Sequence, residues 1–268
     1  MKDYISKFGL EFNPFIKNSK EILVATSEYN EAIIRLNYLA KTRGFGLLTG
    51  SAGKGKTTAV RNWSSQLNTS LYRVIYSCLS TLTVQEFYRS LAQGLGVTPA
   101  FRKTDNFRII QGEITRLSLE KKKTPVIIID EANYVNNAIL NDLKMLFNFE
   151  MDSRDRAVVL LVGLPQLNST LSMSAHEPLR QRLVMNYNLD GISKEEAREY
   201  ISSKLSGAGG DISIFDDNAI EAIINGSDGT PRLINKLCNQ SMMIAALSGL
   251  KTVNSESVMN AINECELA

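Results

Sequence analysis

The stretch GSAGKGKTT, residues 50–58, comes directly after the apolar run FGLLT and runs into a helical pattern, TTAVRNWSSQL. It satisfies G-x-x-x-x-G-K-[ST] through Gly50, Gly55, Lys56 and Thr57, in the strand, turn and helix setting that gives the pattern its meaning. Glycine admits backbone conformations and close approaches that side chains block. The N–H groups of residues 53–57 therefore converge at the positive end of a helix, where they hold phosphate. On this reading Gly50, Ser51, Ala52, Gly53, Lys54, Gly55, Lys56, Thr57 and Thr58 cradle a nucleotide, Lys56 reaches its β and γ phosphates, and the Thr57 hydroxyl takes one Mg²⁺ position.

A phosphate cradle alone does not imply hydrolysis, but VIIIDEA at 126–132 ends an apolar run in two adjacent carboxylates. Asp130 is placed to hold the metal through water, and Glu131 to orient and activate the attacking water. Charge developing on the leaving phosphate calls for further cations. EPLRQRL supplies Arg180 and Arg182 just before the last strand, and GTPRLINKLC supplies Arg232 in the first turn of a helix. An arginine near the C-terminal helices can fold over its own subunit's nucleotide, whereas one at the core edge can reach a neighbour's as a finger in trans.

Apolar runs and helical periodicity alternate up to about residue 190: FGLLT, LYRVIYS, PVIIID and AVVLLVG read as buried strands of a parallel sheet covered by helices on both faces. Thr83 with Glu86 forms a capping box ahead of an apolar helical face, and a long helix covers about 104–122. After MNYNLD only helices are legible: one capped by Ser193 with Glu196, and others beginning near Asp216, at Thr230-Pro231 and near Ser255. The expected division is a core over 1–190 and a helical lid over 191–268. Neither a membrane-spanning run nor a signal peptide is visible, which predicts a cytoplasmic location. Cys78, Cys238, Cys265 and the single His176 are too few and too scattered for a zinc cluster, and the thiols read as reduced packing residues.

The motifs GSAGKGKT, IIIDEA, LVGLPQL, LRQRL and GTPRLIN together resemble an AAA+ ATPase, and within that family the ExeA/TniB group, which includes ATPase partners of DDE transposases. FGLEFNPF is similar to the opening of that group. The resemblance implies an α/β P-loop fold, an αβα sandwich with a five-stranded parallel sheet plus a C-terminal all-helical lid. It implies ATP with Mg²⁺ bound at the interfaces of a homo-oligomer, a sensor role for Arg232 and a finger role for Arg182 or Arg180. It also places adenine near Phe12, Pro14 or Phe15, aromatics and a proline that core packing explains equally well. The polar residue usual at the end of the strand after the DEA motif is missing from LVGLPQL; Gln166 is the nearest polar candidate, which suggests slow turnover.

Three uses of ATP are compatible with these residues. One is assembly of a ring or filament on duplex DNA that recruits a DDE transposase; another is service as the ATPase of an ExeA-type envelope or secretion assembly; the last is a nucleotide-gated scaffold without DNA affinity. Net charge is +2, yet residues 191–268 hold six Lys/Arg against eleven Asp/Glu, which leaves residues 1–190 at +7. Residues 101–123 alone carry seven cations against three acids. Arg102, Lys103 and Arg108 are the expected DNA contacts, with no base-reading motif and hence no sequence preference. Lys121, Lys122 and Lys123 read equally well as a solvated helix end. This balance favours the duplex-DNA reading, and with it no membrane partner.

Overall fold

The computed structural model describes residues 4–78 and 81–266, which divide into two compact units. One comprises Glu31–Ala52 and Lys56–Leu189; the other comprises the N-terminal segment through Asn30, the three residues Gly53–Gly55, and the chain from Asp190 onward.

The first unit is built on five parallel strands, β1 (Gly44–Gly50), β2 (Tyr72–Ser77), β3 (Thr124–Ile129), β4 (Val158–Gly163) and β5 (Leu183–Leu189), in the order β2-β3-β4-β1-β5. The apolar character of a strand follows its place in this order. The three inner strands β3, β4 and β1 are buried at every position, whereas the edge strands β2 and β5 are only partly covered. Burial on both faces is what makes VIII and VVLLV continuous apolar runs rather than alternating ones. Each fully buried Ile or Leu here contributes about 2 kcal/mol, and truncating one such as Ile128 to Ala costs roughly 2–5 kcal/mol. Helices Lys56–Gln66, Val84–Gly94, Lys103–Leu119 and Asn137–Leu146 belong to this unit. The Val84–Gly94 helix begins at the expected capping box: Thr83 Oγ1 accepts from the Glu86 N–H and Glu86 Oε2 accepts from the Thr83 N–H. Because all five strands run the same way, Gly50, Asp130 and Gly163 emerge at one edge of the sheet, where open α/β sheets bind ligands.

The second unit is helical, with helices Lys194–Ser206, Asp217–Ser227, Pro231–Leu247 and Ser255–Glu266. Ser193 with Glu196 forms a capping box, and Asp216 caps its helix by accepting from the Ala219 N–H at 2.6 Å. The start of the chain was expected with the sheet; it packs here instead. Ile5, Phe8, Leu10 and Phe15 join Ile201, Leu205, Ile223, Leu237 and Met242 in one apolar core. The Asn13 amide donates to Tyr4 Oη and to Asn239 Oδ1, and Lys204 Nζ donates to the Pro14 carbonyl, so polar bonds reinforce the same placement. The three cysteines are free; Cys238 is a core residue, but Cys78 is exposed, so packing does not account for it.

Candidate functional site

The glycine turn leaves β1 at Gly50 and enters the Lys56–Gln66 helix. Gly53 and Gly55 lie at φ +83° and +102°, left-handed values that favour glycine. At Gly53 the requirement is also steric, since a Cβ would stand 2.9 Å from both Thr230 Cγ2 and Arg232 Cβ. Lys56 Nζ donates to the carbonyls of Gly50 at 2.6 Å and Ser51 at 3.0 Å, which holds the ammonium at the turn.

Asp130 follows the last residue of β3 and is 5% exposed. Its Oδ1 accepts from the Glu131 N–H at 2.9 Å, and its Oδ2 accepts from Thr57 Oγ1 at 3.3 Å and Tyr76 Oη at 2.8 Å. Tyr76 is about half exposed as a whole (51%), but desolvation of its phenol beside Asp130, together with that carboxylate, pushes it well above its ordinary range, so it stays protonated and donates. Sequence reasoning missed Tyr76, although its position near the end of a strand beside the DEA strand was the available signal. Glu131 is exposed and sits at φ 52°, ψ 36°. A left-handed glutamate costs about 1 kcal/mol, and such strain collects at functional positions.

A buried carboxylate beside a threonine hydroxyl is a hard-oxygen donor pair suited to Mg²⁺, which typically takes one or two carboxylates and completes its shell with water and substrate phosphates. No group of three or more His, Cys, Asp or Glu residues placed to hold a metal occurs among the described residues. The donor set therefore fits a cation shared with a phosphate ligand.

The two core arginines have different surroundings. Arg182 donates to the carbonyls of Lys144 and Phe147 at 2.9 and 3.0 Å, pairs with Asp152 at 2.9 Å, stands over the Phe45 ring, and has a side chain only 14% exposed. Arg180 is exposed and donates to the carbonyls of Leu171 and Ser172. Arg182 is thus a tether for the loop before β4, while Arg180 lies on the surface. In the helical unit, the exposed Arg232 donates its backbone N–H to Gly53 O at 3.4 Å, and Lys54 Nζ donates to Asp228 O at 2.7 Å. Phe15 is a core residue, Pro14 is buried, and Phe12 is partly buried with Lys20 over its ring.

Gln166 is exposed at the start of the Gln166–Ser172 helix. The polar network at this edge of the sheet runs instead through Asn168, which donates to Thr49 Oγ1 at 2.9 Å, and through Thr49, which donates to Asn188 Oδ1 at 3.0 Å. Among the expected DNA contacts, Lys103 pairs with the buried Asp142 at 2.5 Å, whereas Arg102 and Arg108 are exposed. Arg116 is held by Glu113 through two bonds of 2.7 Å. No helix among the described residues is long and apolar enough to cross a membrane.

Residues 39–171 match the family model described as an AAA domain. The chain is 30% identical over 251 residues to the General secretion pathway protein A of Aeromonas hydrophila, an alignment covering 92% of this chain and 45% of that protein. It therefore spans less than half the length of this relative. Its fold resembles CDC6P from Pyrobaculum aerophilum, with a TM-score of 0.69 at 16% identity, covering 97% of this chain and 70% of that one. It also resembles the Aeropyrum pernix ORC1 protein solved in complex with DNA, with a TM-score of 0.65 at 16% identity, covering 94% and 68%.

Proposed function

We propose that this chain, whose residues 39–171 match a family model described as an AAA domain, is an AAA-family, Mg²⁺-dependent ATP hydrolase that assembles on duplex DNA without reading sequence. The observation that carries the hydrolase reading is the convergence of Thr57, Tyr76 and Glu131 on Asp130. Mg²⁺, when bound, neutralises charge on the β and γ phosphates. The chain's residues supply the rest: N–H groups of residues 53–57 bind the phosphates, Lys56 reaches them, and the Asp130 carboxylate is fixed in orientation by two hydroxyl donors. Glu131, one residue beyond and exposed, accepts a proton from the attacking water. Of the two arginines on the core edge, Arg180 is the better finger for a neighbouring subunit, because Arg182 is held by its own unit. Arg232 is the sensor candidate. Gln166 is the polar residue nearest the end of β4, and Asn168, which donates to Thr49 Oγ1, is a second candidate for the same role.

Duplex DNA as partner is supported by the excess of cations in residues 1–190 and by the likeness to a fold solved on DNA. Recruitment of a DDE transposase rests on the sequence resemblance alone. A second reading, part of a secretion pathway, is favoured by the 30% identity to General secretion pathway protein A. Binding to labelled duplexes of unrelated sequence, with ATP and Mg²⁺ at low salt, separates the two. Equal retention of all duplexes supports the DNA reading, and no retention rejects it in favour of the second. Stimulated strand transfer by a cognate transposase tests the finer claim.

A further inference from the structure

On the sheet unit, at the opposite end of the strands from Asp130, lies a cavity of about 570 Å³. It opens where β2 begins at Tyr72, between the C-terminal ends of the Lys56–Gln66 and Lys103–Leu119 helices. The six residues of β3 put roughly 20 Å between this end of the sheet and the carboxylate of the nucleotide end. Both sites can be filled at once.

Its lining includes no carboxylate and carries four cations, Arg73, Arg116, Lys121 and Lys123. Arg116 is neutralised by Glu113 and also feels Glu120. Arg73, Lys121 and Lys123 have no carboxylate partner among the described residues. Basic residues at helix C-termini are common because each terminus carries about half a negative charge. Arg73 Nη2 donates to the Gly94 carbonyl at 3.5 Å, at the end of the Val84–Gly94 helix, so three termini account for about one and a half of the three remaining charges, and a surplus of about one to two is left. The backbone arranges this surplus: Lys122 lies at φ +52°, and the left-handed step leaves Lys121 and Lys123 both lining the cavity while Lys122 does not.

We infer that this cleft is a seat for the phosphodiester backbone of nucleic acid. The inference rests on the duplex-DNA reading above and locates its contact away from Lys103, which is committed to Asp142. Three features select a backbone over a compact anion. The cations come from two separate elements, the strand β2 and the loop after the Lys103–Leu119 helix. The Thr69 hydroxyl offers a phosphate donor beside an aliphatic wall that suits sugar, whereas the Ser64 hydroxyl is given to the Arg61 carbonyl at 2.9 Å. β2 is the edge strand of the sheet, so a long ligand passes by rather than having to end there.

The test is the salt dependence of duplex binding, followed by fluorescence anisotropy with ATP and Mg²⁺ present, for the wild type and for Arg73→Ala combined with Lys121→Ala and Lys123→Ala. The expected result is weaker binding to all sequences alike, a slope of log K against log salt reduced by about 2–3, and unchanged melting temperature and ATP affinity. A wild type that binds duplex while the triple variant keeps both affinity and slope overturns the cleft and leaves the DNA reading standing. A wild type that binds no duplex at low salt overturns both. A poly-glutamate peptide, titrated in parallel, overturns the inference if it binds the wild type more tightly than duplex does and the triple variant loses that binding, because the cleft would then be a seat for acidic protein.

Discussion

Tyr76 reaches across from β2 and donates its phenolic hydrogen to Asp130 Oδ2 at 2.8 Å, with the two residues 54 positions apart in sequence. The contact fixes one oxygen of the carboxylate proposed to hold the cation. A hydrogen bond to a charged acceptor is worth about 1.5–3 kcal/mol. Tyr76→Phe should therefore raise the Mg²⁺ concentration needed for half-maximal ATP hydrolysis by roughly tenfold or more, while metal-free nucleotide binding is unchanged. A magnesium titration of both properties checks this, and an equal loss of metal-free binding would assign Tyr76 to packing.

Lys56 and Glu131 should separate binding from chemistry. Lys56→Ala is expected to abolish ATP binding, because the ammonium at the turn is the main cation facing the phosphates. Glu131→Gln should retain binding and lose about 10²- to 10⁴-fold in turnover. Equilibrium binding of a fluorescent ATP analogue alongside phosphate release distinguishes these outcomes, and equal loss of binding in both variants refutes the water-activating role.

The two core-edge arginines should differ in kind. Arg182→Ala leaves two carbonyls and two aspartates without their guanidinium, and should lower stability by about 2–4 kcal/mol in urea titrations. Arg180→Ala should leave stability within about 0.5 kcal/mol and reduce hydrolysis. Mixed with Lys56→Ala protein, it should recover part of the lost activity, as a finger acting between subunits requires. Absence of recovery would count against that role.

Lys103→Ala should be destabilising for a reason unconnected with DNA. It strands the Asp142 carboxylate, whose side chain is 6% exposed. The expected cost is about 1–3 kcal/mol, moderated because Lys103 is itself partly in water. Arg102→Ala should leave the melting temperature unchanged, so the two substitutions measured singly reveal whether weaker DNA binding comes from a lost contact or from a loosened fold.

Acid should act on the helical unit through Glu196. Burial pushes its carboxyl upward, but hydrogen bonds from Ser27 and Ser193 outweigh this, and the net pKa lies below the ordinary value. A group lowered in the folded state gives stability that is present above its unfolded pKa, near 4.3, and is lost as pH falls through the folded value. Glu196→Gln should therefore flatten the decline in stability below about pH 4.5, measured by helical circular dichroism. An unchanged decline would mean other carboxylates carry it.

What was legible in the sequence is what neighbours in sequence decide. The glycine turn, the DEA strand end and both capping boxes bring their parts together within a few residues, so spacing alone specifies them. The cations were not legible in this way. Lys103 looks like Arg102 until Asp142 folds against it, and Arg182 looks like Arg180 until the loop carrying Asp152 arrives. Apolar residues at 5, 8, 10 and 15 announced burial without naming the surface that would bury them.

The shared core of the chain's beginning and end has a consequence during synthesis. Ile5, Phe8, Leu10 and Phe15 leave the ribosome before their partners Ile201, Leu205 and Leu237, which come roughly 190–230 residues later, a delay of about 10–45 s at about 5–20 residues per second. For that interval the opening segment is an uncovered apolar strip on a nascent chain, free to bind a chaperone or a neighbouring copy. Placing residues 4–30 after the Ser255–Glu266 helix would remove the wait, and should raise the soluble yield of the newly made protein.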